Sequence, residues 1–281
     1  MGGSPFNVAV GLARLAQSVA FFGALSRDAF GDFLAVVLAS EGIDTSTVVR
    51  TDAPTTLSMV SVDAHGVPSY SFDGERRADR QLSLGTLECV PAGAGAIHLG
   101  SYATVVEPIA DTLRALVERE RSKALVAYDP NVRLNVVPDA TTWRRAFDWM
   151  LPRTDLLKVS EDDLRVLAPE ASPEDFAAHA LSAGVALVVL TRGPVGATGW
   201  TRHARATVPA APVHVIDTVG AGDTFQAALL TSFAERGALK REALASLTSA
   251  GVHEALGFAA RAAAITCSRR GADMPRRAEM R

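Results

Sequence analysis

The sequence predicts an α/β fold in which helices cover both faces of a mostly parallel β-sheet. Short apolar runs of strand length alternate with longer amphipathic stretches along most of the 281 residues. This alternation is typical of βαβ units, because two parallel strands need a helical crossover between them. Nearly half of the residues are hydrophobic (48%), so the chain can bury a large core. The length predicts one large domain or two modest ones, and the order of the motifs described below favours a single domain over residues 1–281.

The first elements follow from local signals near the N-terminus. Ser4 and Pro5 can begin a helix, because the N–H that proline lacks has no partner in a first helical turn. The apolar run at 19–22 predicts a strand, and the stretch at 30–40 predicts a second helix.

A hairpin is predicted where the α/β alternation is interrupted. Residues 57–62 and 67–72 partly alternate between apolar and polar side chains, and residues 64–66 (Ala-His-Gly) between them are typical of a turn. We assign this β-hairpin to a small lid over about residues 47–80 rather than to the main sheet.

Buried strands and helices then alternate through the rest of the chain. The predicted strands are the short apolar runs at 96–99, 125–129, 156–159 and 187–191. The predicted helices between them are at 108–120, 142–150 and 173–183. In the C-terminal third, we expect a strand at 213–217 and helices at 223–235, 241–250 and 253–268. The functional site of such a sheet lies at the carboxyl ends of its strands.

Charge and composition exclude several functional classes. With 28 basic and 31 acidic residues the net charge is −3, so no overall charge attracts nucleic acid or an anionic membrane. No apolar run approaches the roughly 20 residues that cross a bilayer, and no signal peptide is visible. Cys89 and Cys267 are far apart, which excludes a disulfide scaffold and a cysteine-rich zinc site. We expect a cytoplasmic protein whose partners are small molecules.

The most informative segment is a glycine-rich turn at residues 217–225, Asp-Thr-Val-Gly-Ala-Gly-Asp-Thr-Phe. A turn of this kind at a helix N-terminus points several N–H donors at one place, and the helix dipole adds to their attraction for an anion. The carboxylate of Asp223 in the same turn can accept a proton from an alcohol. Phosphoryl transfer to an alcohol needs both parts, a base for the hydroxyl and donors for the transferred charge.

Taken alone, the same turn has a simpler interpretation. Gly220 and Gly222 can make an ordinary turn, with Asp223 as a helix-capping acid. The segment is not a dinucleotide-binding fingerprint, because Phe225 stands where the third glycine is required, and it is not a Walker loop, because no Gly-Lys-Ser/Thr follows.

Several motifs together resemble one family. Residues 217–225 resemble the C-terminal signature of the ribokinase-like carbohydrate kinases (phosphofructokinase B type), and residues 2–9, Gly-Gly-Ser-Pro-Phe-Asn-Val-Ala, resemble the N-terminal signature. Shorter similarities follow in order over about 270 residues, at 98–101, 129–133, 158–161, 191–196 and 266–272. The Gly-Ser, Asp-Pro-Asn-x-Arg and Lys-x-Ser-Glu variants look most like the fructokinase branch.

The resemblance implies a three-layer α-β-α sandwich with a mostly parallel central sheet and a small β lid. The family has a further strand, with an acidic sugar-binding residue after it, before the Gly-Gly motif. Because that motif stands at Gly2 and Gly3 here, we expect this first strand to be missing.

The resemblance also implies an ATP-dependent sugar kinase that transfers the γ-phosphoryl group to a primary hydroxyl of a monosaccharide, with fructose as the expected sugar. A 2-keto-3-deoxygluconate, ribose or nucleoside kinase is the alternative, and a truncated, non-catalytic sugar- or nucleotide-binding homologue is the alternative of another class. The implied cofactors are ATP and Mg²⁺, with K⁺ as a further candidate. An exposed edge of the lid hairpin suggests a homodimer.

The resemblance implies roles for residues of the catalytic step and the sugar site. Asp223 would be the catalytic base, and the amides of residues 220–222 (Gly220, Ala221 and Gly222) would form an anion hole. Gly3 and Asn7 would hold sugar hydroxyls, since an amide both donates and accepts and glycine lets a ring approach the backbone.

Three of the implied roles have explicit alternatives. Asn7 taken alone is an ordinary helix residue. Arg133 would bind an anionic group of the substrate or nucleotide, and its alternative is a surface salt bridge. His98 can face the sugar, although we favour a core histidine.

Residues implied to bind the nucleotide and its metal lie on loops after the strands. The nucleotide-binding residues would be Asn131, Lys158, Thr191, Arg192, Gly193, Gly196, Gly220 and Gly222. Lys158 stands where many relatives have Asn, so we expect its charge to contact phosphate directly. Glu161 would organise Mg²⁺ through water, and Asp217 resembles a ligand of a monovalent cation.

Simpler interpretations also exist for the residues implied to bind the nucleotide and the metal ions. Lys158 can be an exposed lysine beside Glu161, an acid at the start of a helix. Asp217 can be a common aspartate at a strand end, and residues 191–196 can form a hairpin turn. The lid at residues 70–77 departs from the arginine-containing pattern of many sugar-acid kinases of this family, which favours a neutral sugar.

Overall fold

The computed structural model of the protein describes residues 2–62, 68–74 and 76–280. The strands are β1 (Gly23–Ser26), β2 (Val48–Thr51), β3 (Leu57–Val62), β4 (Pro68–Asp73), β5 (Ala96–Gly100), β6 (Leu125–Asp129), β7 (Leu156–Ser160), β8 (Leu187–Thr191), β9 (Ala197–Trp200) and β10 (Arg205–Val208). The α-helices are α1 (Ser4–Arg14), α2 (Ala29–Ser40), α3 (Ile109–Glu120), α4 (Ala140–Met150), α5 (Glu161–Leu167), α6 (Pro173–Ala183), α7 (Ala221–Glu235), α8 (Arg241–Ala245) and α9 (Ser249–Cys267).

Six strands form one mixed sheet in the order β10-β9-β8-β7-β6-β5. Strands β5 to β8 are parallel, and β9 and β10 add two antiparallel pairs at one edge. The register pairs Gly100 with Asp129 and Ser160 with Thr191, so the carboxyl ends of the parallel strands lie along one side of the sheet. The predicted α/β fold with a mostly parallel sheet is confirmed.

Buried apolar clusters cover both faces of this sheet. Leu156 of β7 belongs to a cluster that contains Phe225 of α7, and its neighbour Leu157 belongs to another that contains Trp143 of α4. Successive residues of a strand point to opposite faces, so the two clusters lie on the two sides of the sheet. The result is the expected three layers of helix, sheet and helix. A strand buried on both faces is apolar along its length, which explains why these strands are evident from the sequence.

Helices α1 and α7 run side by side in the same direction and approach closely. A Cβ atom at Gly11 would lie only 2.8 Å from Cβ of Ala227 and 2.9 Å from Sδ of Met274. The absence of a side chain at Gly11 therefore lets the helices pack backbone to backbone. This contact brings the first turn of α1 next to the first turn of α7.

The remaining described strands lie outside the six-stranded sheet. Strands β1 and β2 form a parallel pair, and β3 and β4 form the predicted hairpin. The strand predicted at 19–22 is β1, displaced toward the C-terminus, and Ala20 makes only an isolated bridge to Asp44. The turn predicted at 64–66 lies outside the described residues. The expected absence of a strand before Gly2 stays a prediction.

The strand predicted at 213–217 is wrong. This segment is an extended loop that pairs with no strand of the described chain, and the amides of Ile216 and Asp217 donate to the carbonyl of Cys267 at the end of α9. Val215 and Ile216 are each 54% exposed, so their apolar character does not reflect burial in a sheet. The edge of the sheet is formed instead by the β9–β10 hairpin, which the sequence analysis missed.

The helix predicted at 241–250 is also shorter than expected. Helix α8 ends at Ala245, because Thr248 caps the next helix by accepting a hydrogen bond from the amide of Gly251. Helix α9 consequently begins four residues before the predicted 253. Across the described residues, no helix combines the length and apolar character that crossing a bilayer requires.

Candidate active site

The glycine-rich turn that begins α7 is closely fitted against the C-terminal segment. Gly220 has a φ of +79°, and a Cβ atom there would lie 2.6 Å from Cβ and 2.9 Å from Cα of Ala272. Both the positive φ and the lack of space require glycine at this position. The turn can therefore present its backbone N–H groups in a fixed orientation.

Two of the three predicted anion-hole amides are free. The amide of Ala221 donates to the carbonyl of Thr218 at 3.2 Å, whereas the amides of Gly220 and Gly222 have no acceptor within the described part of the chain. The first N–H groups of a helix lack carbonyl partners four residues earlier, and they carry the positive end of the helix dipole. The turn can thus bind an anion, as the sequence predicts.

The carboxylate of Asp223 accepts two hydrogen bonds from α1. Ser4 Oγ donates to Oδ1 at 2.6 Å, and Asn7 Nδ2 donates to Oδ2 at 2.7 Å. Asp223 is 8% exposed, so these two donors compensate for most of the water it has lost. The structure thereby brings the predicted Asn7 and Asp223 together from positions 216 residues apart.

Ser4 is a site residue that the sequence analysis identified only as a helix start. It is the first residue of α1, which follows Gly3, and it lies one turn before Asn7 on the same helix face. That spacing is the signal that could have revealed it. Gly3 faces open space, since a Cβ atom there would meet no atom within 4 Å.

Behind the turn, the ammonium of Lys158 on β7 is paired with Asp129 at the end of β6. Lys158 Nζ lies 2.6 Å from Asp129 Oδ2, and both side chains are almost fully buried. Burial raises the pKa of Asp129 to about 6 despite the lysine. Burial lowers the pKa of Lys158, but the carboxylates of Asp129, Asp163 and Asp223 together more than offset this and raise it overall. The short contact joins the two side chains as a buried ion pair.

The acidic residue that joins this buried region from α5 is Asp163 rather than Glu161. Asp163 accepts hydrogen bonds from the amide of Val132 at 2.7 Å and from Ser160 Oγ at 2.6 Å. Glu161 is about half exposed and pairs with Arg165 on its own helix at 2.9 Å. The Ser-x-x-Asp capping box formed by Ser160 and Asp163 was a missed sequence signal.

The loop after β6 is held in an unusual backbone conformation. Asn131 has a φ of +41° and Ser101, after β5, a φ of +57°; Ser101 Oγ donates to the carbonyl of Asn131 at 3.3 Å. Non-glycine residues in this region are strained, and such strain is often found at functional sites. Arg133 is exposed and, within the described residues, pairs with no acid, so the surface salt bridge considered above is not formed.

The segment 191–196 is the turn between β8 and the antiparallel β9, which confirms the hairpin interpretation. Arg192 Nη2 donates to Thr198 Oγ1 at 3.0 Å, while its Nε is buried without a partner. The backbone of residues 193–195 is exposed and can approach a ligand.

Asp217 ties the glycine-rich turn to the C-terminal segment. Its Oδ1 accepts from the amide of Val219 at 3.0 Å and its Oδ2 from the amide of Gly271 at 2.8 Å. These backbone hydrogen bonds lower the pKa of Asp217, so it remains negatively charged. No group of three or more His, Cys, Asp or Glu side chains converges as a metal site in the described chain.

His98 faces α7 from β5. Its Nδ1 lies 3.4 Å from Nε2 of Gln226, and its Nε2 is buried without a partner. Burial, with the nearby Lys158 charge, lowers the pKa of His98 to about 3, so the ring is neutral. The favoured interpretation as a core histidine fits this position, although the ring is only partly hydrogen-bonded.

The chain is similar to carbohydrate kinases along nearly its whole length. The sequence profile of the pfkB family carbohydrate kinases matches residues 1–278. A fructokinase from Rhizobium leguminosarum bv. trifolii is 34% identical over 246 residues, which cover 88% of this chain and 75% of that protein.

Two solved fructokinase structures have the same fold. The crystal structure of a fructokinase with bound ATP from Xylella fastidiosa superposes with a TM-score of 0.88 and 29% identity, over 99% of this chain and 88% of that one. Fructokinase from Vibrio cholerae O395, with fructose, ADP and calcium, gives a TM-score of 0.84 and 28% identity, over 99% and 89% of the two chains. The expected ribokinase-like fold is confirmed.

Gly220→Ala is expected to lower the free energy of unfolding by about 2–4 kcal/mol, because the added methyl is strained at positive φ and collides with Ala272. Gly237→Ala is the matched control: Gly237 has a φ of +64°, but a Cβ atom there meets nothing within 4 Å, so we expect a loss of about 1–2 kcal/mol. Urea denaturation measures both values. Equal losses would show that the contact with Ala272 does not constrain the turn.

Proposed function

The chain belongs to the pfkB family of carbohydrate kinases and is an ATP-dependent sugar kinase, and we propose that fructose is the sugar it phosphorylates. Fructokinases are prominent among its similar relatives and structures, and one of those structures holds fructose with ADP. The Asp-Pro-Asn-x-Arg and Lys-x-Ser-Glu variants support the same branch.

The observation that carries the proposed mechanism is the position of Asp223 beside free amides at the start of α7. The carboxylate takes the proton from the primary hydroxyl of the sugar while that oxygen attacks the γ-phosphorus of ATP. The bond from the γ-phosphorus to the bridging oxygen breaks, and ADP leaves. The amides of Gly220 and Gly222 stabilise the negative charge of the group in transit.

Ser4 and Asn7 orient this base without blocking it. Each carboxylate oxygen has two lone pairs, so an oxygen that accepts from α1 can still accept from a sugar hydroxyl. The amide of Asn7 donates to Asp223, which leaves its Oδ1 to accept a second sugar hydroxyl. The open space over Gly3 lets the sugar ring approach the backbone, and the exposed Arg133 is available for an anionic group of the bound ligands.

The nucleotide is proposed to lie across the loops that follow β6, β7 and β8. Asn131 and the exposed backbone of residues 193–195 supply hydrogen-bonding groups, and Arg192 brings a positive charge to the same side of the sheet. Gly196 is buried, and its backbone is hydrogen-bonded within the turn. A similar fructokinase was solved with bound ATP. Thr191 Oγ1 donates only a long 3.4 Å hydrogen bond to Val159, so it can turn to a ligand.

The residues of the proposed site are compatible with a magnesium ion that is bound to the nucleotide phosphates. Mg²⁺ retains several waters and is commonly bound through one or two carboxylates and the substrate phosphates, so a dedicated protein cluster is not needed. Bound Mg²⁺ supplies positive charge to the phosphates. Glu161, half exposed, is the proposed carboxylate that acts through water. Asp217, with its lowered pKa, is the proposed carboxylate for a monovalent cation such as K⁺.

We also propose that two chains associate through their lids in the cytoplasm. The hairpin β3–β4 has no third strand among the described residues, which leaves edges available for pairing.

Asp223→Asn is expected to lower kcat by about 10²- to 10⁴-fold, because the amide cannot accept the hydroxyl proton as a base. Calorimetric titration with ADP should show nucleotide binding largely unchanged. The same substitution at Asp111, which is 68% exposed on α3, is the matched control and should leave kcat unchanged. A kcat for Asp223→Asn equal to that of the wild type would refute the assignment of the base.

A panel of acceptors tests the proposed sugar. Fructose, 2-keto-3-deoxygluconate, ribose and adenosine are compared at equal concentration, with ADP release as the readout. We expect the highest kcat/KM with fructose. A higher value with another acceptor would replace fructose in the proposal, and no turnover with any acceptor would favour a non-catalytic homologue.

Light scattering tests the proposed dimer. We expect a mass about twice the 29.5 kDa of one chain. A single-chain mass at the concentration used for the assay would remove the lid-to-lid interface.

A further inference from the structure

The ion pair of Asp129 and Lys158 lies directly behind the glycine-rich turn. Lys158 Nζ is 3.5 Å from the position that a Cβ atom on Gly222 would occupy. Lys158 is only 3% exposed, and its ammonium donates one of its three possible hydrogen bonds to Asp129 Oδ2 at 2.6 Å. The ammonium therefore lies inside the protein next to the turn, and the alternative of an exposed surface lysine is wrong.

This cation is close to the other charges of the site. Its charge interacts with the carboxylates of Asp163 on α5 and Asp223 on α7 as well as with Asp129 on β6. The fourth titratable neighbour, His98 on β5, is neutral. The ammonium is thus the one positive side chain beside these three carboxylates within the described residues, and it lies next to the turn to which we assign the phosphoryl group.

Stability alone does not account for a buried ion pair at this place. Two charges lose their hydration on burial, and apolar residues of similar volume often serve equally well or better. Asp129 Oδ1 is moreover buried without a partner, which adds an uncompensated polar atom. A fixed cation beside an anion hole, by contrast, strengthens its attraction for negative charge, because little water is present to screen it.

We propose that Asp129 and Lys158 form a positioning pair for phosphoryl transfer, in which Asp129 holds the Lys158 ammonium behind Gly222 so that its charge reinforces the anion hole. The pair acts through the turn and touches neither sugar nor nucleotide. The inference rests on the proposed function, since it needs a phosphoryl group that passes through this hole.

Removal of both charges separates this electrostatic role from a structural one. Lys158→Met alone leaves the buried Asp129 unpaired and should lower the melting temperature strongly. In the double variant Asp129→Leu/Lys158→Met the melting temperature should return close to that of the wild type. We expect kcat of the double variant to remain about 10- to 100-fold below that of the wild type, with KM for the sugar unchanged. A merely structural pair predicts that kcat recovers together with stability.

Two further measurements complete the test. Asp129→Asn/Lys158→Gln, which keeps a neutral hydrogen-bonded pair, provides the same kcat comparison if the apolar double variant does not fold. By calorimetry, the wild type should bind ADP with fluoroaluminate, a mimic of the transferring group, more tightly than ADP alone. The ratio of these two affinities should be at least about tenfold smaller in both double variants.

The control is the ion pair at the other end of β7, where Arg241 Nη1 lies 2.7 Å from Asp155 Oδ1. Arg241→Met should lower the melting temperature and leave kcat unchanged. If the wild type is active and a folded double variant matches its kcat and its gain with fluoroaluminate, this inference alone is overturned. If the wild type phosphorylates no acceptor, the proposed function fails, and this inference fails with it.

Discussion

The site depends on one contact, the pair of hydrogen bonds by which the first turn of α1 holds the carboxylate at the first turn of α7. A carboxylate that is 8% exposed loses most of its hydration, and Ser4 and Asn7 supply the donors that make its burial tolerable. Both donors reach it because α1 and α7 pack backbone to backbone at Gly11 and Ala227. Helix packing in the core is therefore what orients Asp223 relative to the free amides beside it.

The charged side chains near this carboxylate are unequal in number, and each acid has different contacts. Three carboxylates, Asp129, Asp163 and Asp223, surround the single ammonium of Lys158. Asp129 is paired with the lysine, and Asp163 accepts from the amide of Val132 and from Ser160. Asp223 is held by Ser4 and Asn7 in the first turn of α7, beside the free amides, and it is the acid to which we assign the chemistry. Acids of the same type thus have different roles because different elements surround them.

The rest of the site is built on the carboxyl ends of parallel strands, where rigid β-structure supports irregular loops. The register of β5 with β6 places Ser101 near Asn131, and these two residues with positive φ angles follow the ends of the two strands. The turn after β8 and the capped start of α5 lie along the same side of the sheet. The loops to which we assign the sugar and the nucleotide therefore lie along one side of the sheet.

The layered fold, the main helices and buried strands, and the position of Asp223 in a glycine-rich turn were predictable from the sequence, because each of these has a periodic or motif signal within a short segment. Helix α6 begins and ends at the predicted residues for this reason. The tertiary structure alone decided that 213–217 is not a strand, since a local apolar run does not show whether a neighbouring strand exists to pair with it. It also decided the contacts of Ser4 with Asp223, of Asp163 with Val132 and of Asp129 with Lys158, whose partners come from other elements. Hydrogen bonds and charges between distant segments depend on how those segments pack, and no local pattern encodes that packing.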